Sequence, residues 1–261
     1  MSNGPSLNAE AKSCAELTSV NCSCPIYKAR TSGARSSSGA RRVMFYLRSV
    51  AYKSVEVVKA VVGPLATNSY LVCRGDECVV VDPGDEGERL LRALSGRSLV
   101  AVVATHLHFD HVGAVAHLVE AAGAPFYAHP ADWRIYKALN EVAPRWGFEV
   151  PELPTPRDPG ERLWLFDVLH TPGHTPGSIS LVAGDAVFTG DTLFRGSVGR
   201  TDLPHGDWEE LTRSVCRLYQ LPSHLVVYPG HGPPTTIGAE AAGNPFINAD
   251  VCDGVRQSNV Y

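Results

Sequence analysis

From about residue 44 onward the chain alternates short apolar runs with turns marked by glycine and proline. Residues 55–62 are mostly β-branched and stop at Gly63-Pro64, which predicts a strand. Residues 68–73 and 78–81 flank the turn Arg74-Gly75-Asp76-Glu77 and predict a hairpin. Leu90, Leu91 and Leu94 stand at helical spacing within 86–94, and Gly96 closes that helix. Residues 99–104 are continuously apolar, as expected of a strand covered on both faces. A helix over 113–122, a short strand over 124–129 and a helix over 131–140 follow. Residues 141–160 carry Pro144, Pro151, Pro154, Pro156 and Pro159, so they predict a loop, placed to lie over a site. Strand patterns return at 163–169, 178–183, 186–189 and 225–228, with an amphipathic helix over 207–219. Strand-rich halves, each followed by helices, predict an α+β fold in which helices cover two packed sheets.

Residues 1–43 break this rhythm. They are rich in Ser, Ala and Arg, with acids only at Glu10 and Glu16 and no sustained apolar period. Such a segment buries too little surface to offset its ordering entropy, so a disordered or dispensable extension is expected before a catalytic domain over 44–261. It lacks the apolar core of a secretory signal, and the next methionine is Met44.

Composition narrows the class. The 261 residues are 44% hydrophobic with a formal net charge of -4, so charge gives no case for nucleic acid or a membrane surface as partner. No apolar run reaches the length of a membrane span. Seven cysteines without CxxC spacing suit reduced thiols and a cytoplasmic location better than a disulfide scaffold. Oligomeric state is not legible.

The chemistry concentrates at strand ends. Thr105-His106-Leu107-His108-Phe109-Asp110-His111 places three imidazoles and a carboxylate directly after the apolar run 99–104. Histidine and aspartate are ligands for zinc and similar divalent ions. In extended chain His106 and His108 point the same way, and Asp110 and His111 follow where the chain must turn. This pattern suggests two ligands for one ion and two for another. His174 in Thr-Pro-Gly-His-Thr-Pro-Gly, Asp191 after 186–189 and His231 after 225–228 repeat the arrangement on Gly-bearing loops. Together they make seven oxygen and nitrogen donors without sulfur, enough for two four-ligand sites sharing one bridging carboxylate. Two divalent ions are expected, zinc first, with iron and manganese accepted by the same ligands. The remaining histidines read as ordinary loop or helix residues.

The motifs HLHFDH, TPGHTPGS, FTGD and PGHG resemble the metallo-β-lactamase superfamily. GDTLFRGSVGRTDLP (190–204) and PTTIGAE with NPF (234–246) resemble its small glyoxalase II-like hydrolases. The resemblance spans 55 to about 247 and implies an αβ/βα four-layer sandwich with metals at one edge between the sheets. It implies that His106, His108 and His174 hold one metal, that Asp110, His111 and His231 hold the other, and that Asp191 bridges. Full-length glyoxalase II enzymes add a helical C-terminal domain that contacts glutathione, whereas thirty residues follow His231 here. The resemblance therefore carries hydrolysis and leaves the thiol open.

The expected reaction is hydrolysis of a small-molecule thioester by a metal-bridging hydroxide. Two metals lower the pKa of a shared water from about 15.7 to around 7 and polarise a carbonyl. A thiolate with a pKa of about 8.5 departs without a strong acid. Asp110 is expected to orient the hydroxide as well as ligate. Arg200, in the Gly-rich loop after Asp191, is the candidate for a substrate carboxylate, or else pairs with Asp202. The rival is a persulfide dioxygenase with a single non-haem iron held by two His and one Asp. That class resembles this chain in the same motifs but commonly reads TPGHTDG where this chain reads TPGHTPG.

Overall fold

The computed structural model describes residues 55–258, with no side-chain description beyond 254. The expected extension, and the residues from 44 to 54, lie outside the described residues.

The first half builds one mixed sheet from β1 (Glu56–Val62), β2 (Thr67–Arg74), β3 (Glu77–Val81), β4 (Ser98–Val103) and β5 (Phe126–Tyr127), in that spatial order. β1, β2 and β3 pair antiparallel through tight turns, while β4 and β5 add in parallel after helical crossovers. The second half contains β6 (Arg162–Leu163), β7 (Phe166–His170), β8 (Ile179–Ala183), β9 (Ala186–Gly190), the small ribbon β10 (Leu193–Phe194) and β11 (Ser197–Val198), β12 (Val226–Pro229) and β13 (Thr235–Thr236). Its main sheet runs β13-β12-β9-β8-β7-β6.

Period-two alternation sends the two faces of each sheet to different cores. Tyr70, Val72, Val79, Val81 and Val103 meet Phe166, Val168, Ile179, Leu181 and Phe188 between the sheets. The other face of the first sheet, through Leu71, Val80 and Val102, packs on Leu90, Val115 and Leu118 from the helices. Val187 and Val227 pack outward on Leu211, Val215 and Leu218 of the helix Trp208–Leu218. The order helix, sheet, sheet, helix is the expected αβ/βα sandwich. Both faces of β4 are covered, which accounts for its unbroken apolar sequence.

Several elements depart from the pattern. The expected strand 163–169 divides at Trp164, whose φ of 53° turns the chain sharply between β6 and β7. The expected helix 131–140 divides into Pro130–Arg134 and Tyr136–Leu139, because Ile135 leaves helical geometry at φ -117°. The expected helix 113–122 starts at Val115, and a separate turn, Phe109–Val112, precedes it. The thiol expectation is corrected for four cysteines. The β2–β3 register sets Cys73 opposite Cys78, with Cα atoms 4.1 Å apart, and the two form a disulfide. Cys216 and Cys252 form another between the packed helices Trp208–Leu218 and Ala249–Ser258. Hairpin register and helix packing create these pairings, and neither is visible in cysteine spacing. No helix among the described residues is long and apolar enough to cross a membrane.

Candidate metal centre

Four loops at one edge of the sandwich converge. After β4, Thr105 is fixed by Asp82 at the end of β3: its N–H and hydroxyl donate to the two carboxylate oxygens at 2.6 and 2.7 Å. That clamp directs His106 and His108 inward, where both are buried. The turn Phe109–Val112 then carries Asp110 and His111, with His108 as its N-cap. His174 arrives from the loop between β7 and β8, Asp191 directly after β9, and His231 directly after β12. The last two loops are side by side because β9 and β12 pair in parallel, and Gly230 N–H donates to Gly190 O at 2.8 Å. Gly230 is required there: a Cβ would meet the Asp191 carboxylate and lie 2.7 Å from His111 Cε1.

All seven expected donors meet in one cluster. Nitrogen atoms of His106, His108 and His174 lie within 4.8 Å of one another, as do donor atoms of Asp110, His111 and His231. His108 Nδ1 and His174 Nε2 stand 2.9 Å apart. Tetrahedral ligands about 2.0–2.1 Å from an ion are separated by roughly 3.3 Å, so this spacing suits a shared cation. His174 Nδ1 donates to Arg200 O at 2.8 Å, which leaves its Nε2 lone pair facing the cluster. Asp191 sits between the two trios. One of its oxygens is 3.4 Å from His111 Nε2, and the other is 3.7 Å from both His174 Nε2 and His231 Nε2.

The donor set fits metal by its own chemistry. His106 Nε2, His108 Nε2, both nitrogens of His111 and Asp191 Oδ1 are buried and make no hydrogen bond. Buried polar atoms normally find a partner, and the orphans on His106, His111 and Asp191, whose donor atoms lie within 4.8 Å of one another, mark a place for a cation. Charge points the same way. Burial holds His106 and His108 below the usual histidine range, His108 at about 3, and neighbouring imidazoles add to the effect. Burial pushes His111 down as well, but the fields of Asp110, Asp191 and Asp82 outweigh it and hold His111 well above its ordinary value. Burial raises Asp110, yet His111 and His231 bring it down to about 2. Three carboxylates thus surround one fully buried imidazole, a setting that calls for positive charge.

Four supporting residues carry no expected role. Asp82 lies 3.2 Å from His111 Nδ1 and turns the opposite nitrogen toward Asp110 and Asp191. It ends an apolar strand beside Pro-Gly, so the rule that picks out Asp191 also picks out Asp82. Thr67 Oγ1 donates to Asp110 Oδ2 at 3.0 Å. Asn140 accepts from Phe109 N–H at 2.8 Å and donates to Leu107 O at 2.8 Å. Asp132, fully buried, accepts from Leu107 N–H at 3.0 Å, Thr175 Oγ1 at 2.8 Å and Gly177 N–H at 2.5 Å. It ties the His106–His108 segment to the His174 loop.

Arg200 lines the cleft above the cluster, but its guanidinium is held by Asp202 through two bonds of 2.7 Å. The expected loop 141–160 does border the cleft, through Val142 and Trp146. His129 and His170 stack on each other at 4.2 Å, outside the cluster.

The sequence profile of the metallo-beta-lactamase superfamily matches residues 62–231. The hydroxyacylglutathione hydrolase GloC of Haemophilus influenzae is 38% identical over 184 residues, covering 65% of this chain and 87% of that protein. The crystal structure of TTHA1623 in a di-iron-bound form is 49% identical and superposes with a TM-score of 0.67, covering 72% of this chain and 99% of that one. The BLEG-1 B3 metallo-beta-lactamase is 36% identical with a TM-score of 0.65, covering 72% and 98%.

Proposed function

The chain belongs to the metallo-beta-lactamase superfamily as a metal-dependent hydrolase, and we propose that it is a binuclear enzyme that hydrolyses small-molecule thioesters. The carrying observation is the pair of donor trios with Asp191 between them, opening into a cleft of about 400 Å³. In this reading His106, His108 and His174 would hold one divalent ion, Asp110, His111 and His231 would hold the other, and Asp191, between the trios, would be available to both. Zinc suits these ligands, and the di-iron form of the 49% identical structure sets iron beside it. When bound, such ions make a nucleophilic water available near neutral pH and polarise a carbonyl.

The chain's own residues supply position and exclusion. Asp110 borders the cleft with Oδ2 fixed by Thr67, so its carboxylate can accept a water proton and orient that water. Among the described residues lining the cleft there is no Lys, Glu or Tyr to protonate a leaving group. A thiolate leaving group needs none, whereas an amine or alkoxide does. This favours a thioester. GloC is the relative whose name carries such an activity, and we extend that chemistry to this chain as the reading. A single-iron dioxygenase using two His and one Asp would leave the Asp110, His111 and His231 trio without a cation, which counts against that alternative. No nucleic-acid or membrane partner enters this reading.

Elemental analysis with a thioester panel tests it. The expected outcome is about two ions per chain, by the count of ligand sets, and turnover of at least one thioester. One iron per chain with oxygen consumption on a persulfide, and no thioester cleavage, overturns it.

A further inference from the structure

The walls of the cleft differ in character from its floor. Leu65 projects from the β1–β2 turn, Phe109 follows His108, and Val142 and Trp146 come from the loop beyond Asn140. Phe194, from the β10–β11 ribbon, lies against His231, with ring centroids 6.4 Å apart, and Leu203 closes the remaining side. Leu65 and Trp146 are 40% and 49% exposed, which is unusual for large apolar side chains beside a site. The stack of Phe109 on Phe148, at 4.9 Å, pins the Trp146 segment to the ligand turn.

The polar groups that would greet a charged substrate are already engaged. Asn140 spends its amide on Phe109 N–H, Leu107 O and Tyr136 O. Among the described residues lining the cleft Arg200 is the one Lys or Arg, and Asp202 offsets its charge. A glutathione moiety brings two carboxylates and one ammonium, and its capture needs cations or free backbone donors. An uncharged alkyl or aryl group needs apolar wall, which is what these six side chains provide.

From this we infer that the preferred substrate carries an apolar acyl chain, seated between Trp146, Leu65 and Phe194, and that glutathione is not the principal determinant of recognition. The inference rests on the thioester reading. The reaction is unchanged in form: water adds to the acyl carbon, the C–S bond breaks, a C–O bond forms, and the products are a carboxylic acid and a thiol.

The test holds the leaving group constant across an acyl series and sets one glutathione thioester beside it. Metal-loaded, full-chain protein is assayed with S-acetyl-, S-butyryl- and S-hexanoyl-N-acetylcysteamine and with S-lactoylglutathione, reading the freed thiol. Each methylene fully buried in an apolar cleft raises kcat/KM by about fourfold, so the four that separate hexanoyl from acetyl, even half-buried at about twofold each, should raise it by at least about tenfold, and hexanoyl should also exceed S-lactoylglutathione. In Trp146→Ala the hexanoyl rate should fall several-fold more than the acetyl rate, with the thermal unfolding midpoint checking that the fold persists. A flat or falling chain-length profile, faster turnover of S-lactoylglutathione, or an equal loss on all substrates in Trp146→Ala overturns the inference and leaves thioester hydrolysis standing. Absence of turnover on every thioester overturns both.

Discussion

Replacing Asp132 tests whether the metal centre is assembled by buried hydrogen bonds as much as by its ligands. Asp132 is inaccessible to solvent and accepts from Leu107 N–H, Thr175 Oγ1 and Gly177 N–H, at 3.0, 2.8 and 2.5 Å. Burial raises its pKa, yet all three donors favour the carboxylate. In Asp132→Ala these donors lose their acceptor at once. Each unsatisfied buried donor costs about 1–3 kcal/mol, and partial relaxation brings the sum to roughly 3–6 kcal/mol. That is a large share of the roughly 5–15 kcal/mol that typically separates folded from unfolded chains. Asp132→Asn is the sharper probe. Its amide oxygen can serve Leu107 and Thr175, but its NH2 then opposes Gly177 N–H, so a loss of roughly 2–3 kcal/mol is expected. Because Gly177 lies in the His174 loop and Leu107 between His106 and His108, metal affinity should fall about 10–100-fold in the same variant. Denaturant unfolding of the metal-free protein gives the first quantity and competition with a chromophoric chelator gives the second. Stability within about 1 kcal/mol of the parent, together with unchanged affinity, would refute the argument that Asp132 holds the two ligand loops in register.

His111→Ala removes a ligand from the second trio and should lower bound metal from about two ions per chain to about one, with kcat/KM falling by at least about tenfold; full metal content by elemental analysis would sink the ligand assignment. Metal uptake should also depend on pH with a definite sign. The carboxylates beside His111 hold it well above its ordinary value despite burial, and those beside His231 raise it as well, so a cation must displace protons that both imidazoles bind more tightly than a free histidine does. Loading should therefore release about one to two protons and strengthen up to about tenfold per pH unit for each. Calorimetry in buffers of different ionisation enthalpy measures that release, and heats independent of buffer would contradict it. The bond from Arg200 lowers Asp202 to about 2, so the pair is ionised at all working pH values. Asp202→Asn should free the guanidinium and raise kcat/KM for S-lactoylglutathione about two- to fivefold at low salt, with the gain shrinking as salt is added. An unchanged rate at low ionic strength would show that the offset of Arg200 does not matter.

Strand ends explain both what could be read from the chain and what could not. His106, His108, Asp110, His111, Asp191 and His231 each stand just beyond an apolar run, and His174 lies between two. A polar residue there must turn away from the core, and an edge between two sheets gathers such residues in space. This local signal suffices to group them, and it extends to Asp82, which like Asp191 ends an apolar strand at a glycine-bearing turn. Asp132 and Asn140 give no such signal. Asp132 sits in one short helix and Asn140 directly follows the next, with partners 25 to 45 residues distant for Asp132 and 31 to 33 for the loop bonds of Asn140. Their roles exist only once Ile135 breaks the helix and sets Asn140 against Leu107. The disulfides depend in the same way on hairpin register and helix packing. Leu65 and Trp146 are the least legible. A leucine in a turn and a tryptophan in a proline-rich loop read as incidental exposure until the fold sets them on the rim of one cleft. Candidate ligands are therefore readable as local pattern, while the residues that hold them and those proposed to select the substrate are products of tertiary convergence. Removing a candidate ligand should therefore cost a whole bound ion, whereas altering Asp132 or Trp146 should change affinity and preference by degrees.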